Sequence, residues 1–178
     1  MLWGEWMALT VLGSGDLGGT YVLRVEVKRD LRVGFGRFMK GRKIAVPAGV
    51  YVYVGSAMGS DRSLGRRLAR HATRSGRRSK HKMRDEIIEV FGADVLPKGI
   101  KQLRWHVDYL LDRREVILTD VIAIRSAVRL EGVIAEFLMM NGEIIEKGLG
   151  ASDDPGRTHL LKVSAGMGWW EKVVKHCR

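Results

Sequence analysis

Arg67 and His71 stand four residues apart in a segment of helical pattern. That spacing puts both side chains on one helix face, where they can address the same phosphate. Arg66 and Arg70 form a parallel row suited to following a polyanionic backbone. The run 61–85 around them holds ten lysines and arginines, including Arg74, Arg77, Arg78, Lys80 and Lys82, against two aspartates. Such a run can be no more than a solvated helix face, but its concentration points toward phosphate contact, where binding displaces condensed counterions. His106 and Asp108, taken with His71 or His159, supply the donor types of a metal site. The same spacing also suits packing by Trp105 and Tyr109, with His106 making a structural hydrogen bond. Asp153 and His159 either join a site or order a loop. Glu131 opens a helix off its apolar stripe, a position that also suits a carboxylate on the helix dipole.

The elements that must position these residues are legible in the apolar pattern. Gly13, Gly15 and Gly18 match the spacing of a dinucleotide-binding loop, but such a loop must open a helix whose amides face the pyrophosphate. The adjoining segment, 20–27, is β-branched and aromatic and reads as a strand, so the glycines read as a turn. A second strand, 50–55, places Tyr51 and Tyr53 on one face and its valines on the other. A helix is predicted from about 64 to 71 and beyond, another over 85–91, a third strand over 115–124, and a helix over 129–139. In that last helix Leu130, Val133, Ile134, Phe137 and Leu138 make an apolar stripe. Residues 158–163 read as a short strand, and Trp169, Trp170, Val173 and Val174 as one face of a closing helix. The segment 34–43 reads as a loop or loose hairpin, and 7–12 as a strand or part of an N-terminal arm.

At 178 residues and 46% hydrophobic content the chain can close one substantial core. One domain is expected over 19–178, with a basic helical insertion at about 61–100 and an N-terminal arm or strand over 1–18. A net charge of +11 and a pI near 10.2 argue for a polyanionic partner, nucleic acid first. No apolar run approaches the roughly 20 residues that span a bilayer. Glu5 interrupts the apolar start with no basic segment before it, unlike a secretion signal, so the cytoplasm is the expected compartment. Cys177 is the only cysteine, which excludes an internal disulfide and a cysteine-based zinc site. One asparagine, one glutamine and 29% charged residues suggest a heat-adapted source.

The order strand, strand, helix, strand, helix, with Gly19-Thr20-Tyr21 on the first strand and Tyr53-Val54-Gly55 on the second, resembles the GIY-YIG endonuclease superfamily. Leu64, Arg67 and His71 resemble its helix motif, and Glu131 its metal-binding glutamate. The blocks 51–57, 105–109 and 150–153, with His159, resemble a largely archaeal branch whose members occur alone or joined to a DNA-repair glycosylase. The resemblance spans about 19–163. Thr20 departs from the usual isoleucine, and a long connection replaces the usual tight hairpin. Gly132 and Asp154 stand where that branch often has cysteines.

The resemblance implies an α+β fold, a small and mainly antiparallel sheet flanked by helices. It also implies a nuclease that hydrolyses DNA phosphodiesters in repair or branched-structure processing. Glu131 would hold one Mg²⁺ or Mn²⁺, ions that take few protein ligands and keep several waters. Tyr21 would be the general base, which a phenol pKa of about 10 disfavours unless a cation stabilises phenolate. Arg67 would lower that pKa or clamp the phosphate, with His71 beside it, and Tyr53 would position the water or Tyr21. Tyr21, Arg67 and Glu131 are expected on one concave face. A non-catalytic nucleic-acid-binding module of the same fold and an RNA-processing protein are the alternatives.

Overall fold

The computed structural model describes residues 8–59, 63–76, 79–151, 153–154 and 156–178. In chain order the elements are β1 (Ala8–Leu12), β2 (Gly19–Val27), a hairpin of β3 (Leu31–Gly34) and β4 (Lys43–Val46), and β5 (Gly49–Ala57). They continue with α1 (Ser63–His71), α2 (Met83–Phe91), α3 (His106–Leu111), β6 (Val116–Arg125), α4 (Glu131–Asn141), β7 (Leu160–Val163) and α5 (Met167–Cys177). The main sheet runs β1-β6-β2-β5-β7, antiparallel at every pairing except β1 with β6. This is the α+β class, with a five-stranded mixed sheet between helices.

Strands β2, β5 and β6 are apolar on both sides because both sides are covered. Tyr21, Leu23, Val25, Tyr51 and Tyr53 face a layer that includes Leu64 and Leu68 of α1, Met83 and Ile87 of α2, and Leu110 and Leu111 of α3. Val22, Val52, Val54 and Ile122 alternate to the other side, against Ile134 and Leu138 of α4 and Trp170 and Val173 of α5. Period-two alternation in the strands thus feeds two separate packing layers. Truncating a buried leucine such as Leu64 or Leu68 to alanine should cost about 2–5 kcal/mol. The hairpin closes the first layer with Leu31, Val33, Ile44 and Val46. The basic segment therefore supplies core side chains as well as charge.

Several expectations are refined. Within the segment 7–12, residues 8–12 form a true strand, pairing Ala8 with Asp120 through Leu12 with Ile124. The glycine turn leads into β2, and β6 matches the third strand expected at 115–124 to within one residue. Helix α1 stops at His71 instead of running on. Thr73 hydrogen-bonds its hydroxyl to the Ala69 carbonyl (2.8 Å), and the chain returns so that the His81 N–H reaches the Ala72 carbonyl (3.0 Å). Residues 106–111, to which the apolar pattern assigns no element, form α3. Asp108, its third residue, reaches back to the Trp105 N–H (3.2 Å), the carboxylate half of a capping box. Among the described residues no helix is long and apolar enough to cross a membrane.

Candidate active site

The end of β2 and β5 nearest α1 is built by close approach. A Cβ on Gly55 would lie 2.5 Å from the Tyr21 hydroxyl oxygen, so only glycine there lets the phenol lie across β5. A Cβ on Gly19 would collide with the Ile124 carbonyl oxygen, which explains the glycine that opens β2. Tyr21 is fully buried, and its hydroxyl lies 2.8 Å from Nε2 of His71. The other ring nitrogen, Nδ1, is 2.9 Å from Asp108 Oδ1. An ionised carboxylate only accepts, so Nδ1 carries the proton and Nε2 accepts from Tyr21. The Tyr53 ring is 6.2 Å from both the Tyr21 and the His71 rings.

Asp108 is held from every side. Its Oδ1 also lies 3.2 Å from the buried Lys101 ammonium, and Oδ2 accepts from the Arg104 (3.1 Å) and Trp105 (3.2 Å) amides. Arg70 is 3.6 Å away. Burial alone would raise the carboxyl pKa, but the His71 hydrogen bond, the nearby charges and the Arg104 amide outweigh it and hold Asp108 well below the usual range. Burial lowers the His71 pKa against the pull of Asp108. It raises the Tyr21 phenol, with the Arg67 guanidinium opposing, and likewise raises Tyr53.

Arg67 stacks on Trp105 at 3.7 Å to the ring centroid and donates to the Ser56 carbonyl (3.3 Å). Arg70 and Arg104 lie 5.0 Å from the same ring. Arg67 and His71 thus share a helix face as their spacing predicted. Glu131 arrives from the opposite layer, because α4 packs on the other side of the sheet. Its first turn is anchored where the Leu130 N–H donates to the Thr20 hydroxyl (3.0 Å). The Glu131 carboxylate accepts from the Ser56 hydroxyl through Oε2. Ser56 links the two elements, its backbone carbonyl accepting from Arg67 and its hydroxyl donating to Glu131, and the Glu131 charge reaches Tyr21 and Tyr53.

Glu131 Oε1 lies 3.1 Å from Nδ1 of the buried His159, whose Nε2 is 3.2 Å from Asp154 Oδ2. Despite that distance, His159 Nδ1 is not aligned in a hydrogen bond. Burial would raise the Glu131 carboxyl, but His159 and Ser56 hold it below its ordinary value. Asp153 is exposed, 4.0 Å from Arg129, which is itself 3.9 Å from Glu131. Among the described residues no group of three or more histidine, cysteine, aspartate or glutamate side chains is arranged to hold a metal.

Several sequence-predicted residues stand elsewhere. His106 accepts from the Gly150 amide (2.8 Å) and packs on Phe38, away from His71; Asp108 meets His71 through a hydrogen bond. Arg74, expected on phosphate, is turned inward to the carbonyls of Leu111 (3.3 Å), Ser79 (2.7 Å) and Val116 (2.7 Å). Those carbonyls lie where α3 ends, a turn passes and β6 begins, and they require donors. Arg70 is likewise drawn in, donating to the Gln102 carbonyl. Arg66, Lys80 and Lys82 are exposed, with Lys80 paired to Asp85. Arg77 and Arg78 lie outside the described residues. Sequence reasoning missed Ser56, Lys101, Arg129 and Asp154. Of these, Ser56 alone carried a local signal, a polar residue alternating onto the valine face at the end of β5.

No curated protein and no solved structure matches the chain. The model of a domain family of unknown function, DUF123, matches residues 20–177, from the second residue of β2 to the last of α5, and the chain belongs to that family.

Proposed function

We propose that the protein is a divalent-metal-dependent endonuclease hydrolysing phosphodiester bonds of DNA, as its resemblance to the GIY-YIG enzymes implies. The observation that carries this reading is the Tyr21–His71–Asp108 chain beside Arg67, joined through Ser56 to the Glu131 carboxylate. Glu131 fits a metal carboxylate, since an orphaned buried imidazole nitrogen lies 3.1 Å from it. An Mg²⁺ or Mn²⁺ ion there would supply a water of lowered pKa and neutralise charge on the reacting phosphate. Arg67 offers its guanidinium to a phosphate oxygen. The attacking water would give its proton to the Tyr21 oxygen as Tyr21 hands its own to His71 Nε2, so that no buried phenolate has to form, with Asp108 stabilising the imidazolium. Arg66, Lys82 and Arg104, all exposed, follow the strand backbone.

A nucleic-acid-binding module without turnover is the second reading. Full burial of Tyr21 favours it. Purified protein on nicked, flapped, branched and abasic DNA, and on matching RNA, with Mg²⁺, Mn²⁺ or chelator, separates the two. Metal-dependent cleavage of DNA is expected. It should fall at least ~10²-fold in Glu131→Ala and Tyr21→Phe, with binding kept or tightened in the former. Binding without cleavage of any substrate would establish the module instead, and cleavage of RNA alone would overturn the DNA assignment.

A further inference from the structure

His159 is 1% exposed and stands between two carboxylates, Glu131 on Nδ1 and Asp154 on Nε2. A carboxylate accepts and does not donate, so each ring nitrogen facing one must bring a proton or share a cation with it. Nε2 meets Asp154 in hydrogen-bond geometry at 3.2 Å, which places a proton there. Nδ1 is buried and aligned with no partner. It lies 3.1 Å from Glu131 Oε1, so an orphaned buried nitrogen and a carboxylate oxygen stand where one cation can lie against both atoms. Ser56 and Arg129 serve the other oxygen, Oε2, and leave Oε1 turned to the ring. Ligands at about 2.1 Å from one divalent ion and at right angles stand about 3 Å apart, the separation found here.

We infer that His159 Nδ1 and Glu131 Oε1 together ligate one divalent ion, with Asp154 holding the imidazole by its far nitrogen. A carboxylate behind a metal-bound histidine fixes its tautomer and raises its basicity. Asp154 is itself clamped by Arg157 (2.9 and 3.2 Å), whose other nitrogen is 2.6 Å from Glu136. Imidazole suits borderline ions better than Mg²⁺, so the site selects Mn²⁺. This inference rests on the reading of Glu131 as the metal carboxylate and adds a nitrogen ligand to it.

Mn²⁺ titration of the full chain without nucleic acid, followed by electron paramagnetic resonance, tests it directly. One Mn²⁺ should bind, and its electron spin-echo modulation should carry the ¹⁴N signature of a bound imidazole. In His159→Gln that signature should vanish and affinity should fall at least ~10-fold. In Asp154→Asn, which leaves the ring in place, the signature should persist with affinity ~10- to 100-fold weaker. Mg²⁺ should displace Mn²⁺ only in large excess, and a smaller excess should suffice in His159→Gln. Circular dichroism checks the fold of both variants. A wild-type spectrum without ¹⁴N modulation, or unchanged affinity and modulation in His159→Gln, overturns the histidine ligand and leaves the nuclease reading to the cleavage assay. Absence of any Mn²⁺ binding overturns the whole site.

Discussion

Acidification from pH 7 to pH 4 should remove about 3 kcal/mol of stability through His81 alone. The ring is 3% exposed; Nδ1 accepts from the Leu118 amide (3.1 Å) and Nε2 donates to the Leu111 carbonyl (2.9 Å). Protonation would set a second N–H against the Leu118 N–H. Burial, reinforced by the Arg74 charge, pushes the His81 pKa down from 6.5 to about 4. With the folded value below the unfolded one, the unfolded chain binds the extra proton between them. Stability is therefore full above about pH 6.5, falls through the window and levels off below about pH 4. At about 1.4 kcal/mol per unit the loss is about 2 kcal/mol by pH 5 and about 3 kcal/mol by pH 4. Urea unfolding of wild type and His81→Gln at pH 7, 6, 5 and 4 measures it. The glutamine amide can serve the same two partners without titrating in this range. His71 and His106, also lowered by burial, act in both proteins and cancel in the difference. Wild type should lose about 3 kcal/mol more than the variant between pH 7 and pH 4, and parallel curves would refute the argument.

Three further changes separate the site's supports from the proposed footprint. Arg74→Met strips donors from three carbonyls and should destabilise the fold by about 2–3 kcal/mol in urea while leaving the salt dependence of DNA binding unchanged. Arg66→Gln with Lys82→Gln should do the reverse, flattening the slope of log K against log salt by about one per side chain, within ~0.5 kcal/mol of wild-type stability. Gly55→Ala should drive the Tyr21 phenol from His71, lowering the melting temperature and cleavage together; an unperturbed melting temperature would refute the close approach.

Legibility in the sequence tracks the range of each signal. Alternation in β2, β5 and β6 repeats over nine or ten residues and is local, so those strands could be placed to within a residue or two. The pairing of β1 with β6 joins residues more than a hundred positions apart, and a five-residue, mostly apolar strand encodes no such partner. Helix α3 has six residues, too few for a stripe of period 3.6, and owes its start to Asp108 reaching back along the chain. The site divides in the same way. Arg67 and His71 were paired by a spacing of four, which any helix honours. His71 and Asp108, 37 residues apart, meet only because α1 and α3 pack in one layer. Ser56 joins Arg67 to Glu131 only because α4 enters at the end of β5 from the far side.

Net charge records how many cations a segment holds and says nothing of where they point. In 61–85 the guanidiniums of Arg67, Arg70, Arg74 and Arg84 all turn to oxygens of the protein itself. Arginine suits that work because its fork carries five donors and binds its water less tightly than an ammonium does. Lys80 and Lys82, with compact and strongly hydrated charges, stay exposed. Among the described residues of the run the lysines face out and every arginine but Arg66 turns inward. Its inward arginines tie α1 to α3 and to the start of β6 and so fix the helix that carries His71; under the proposed function, contact with a polyanion falls to its outward charges. Reversing charge indiscriminately along the segment would unfold the scaffold along with any proposed binding. Only substitutions chosen by orientation can separate the footprint from the support of the site.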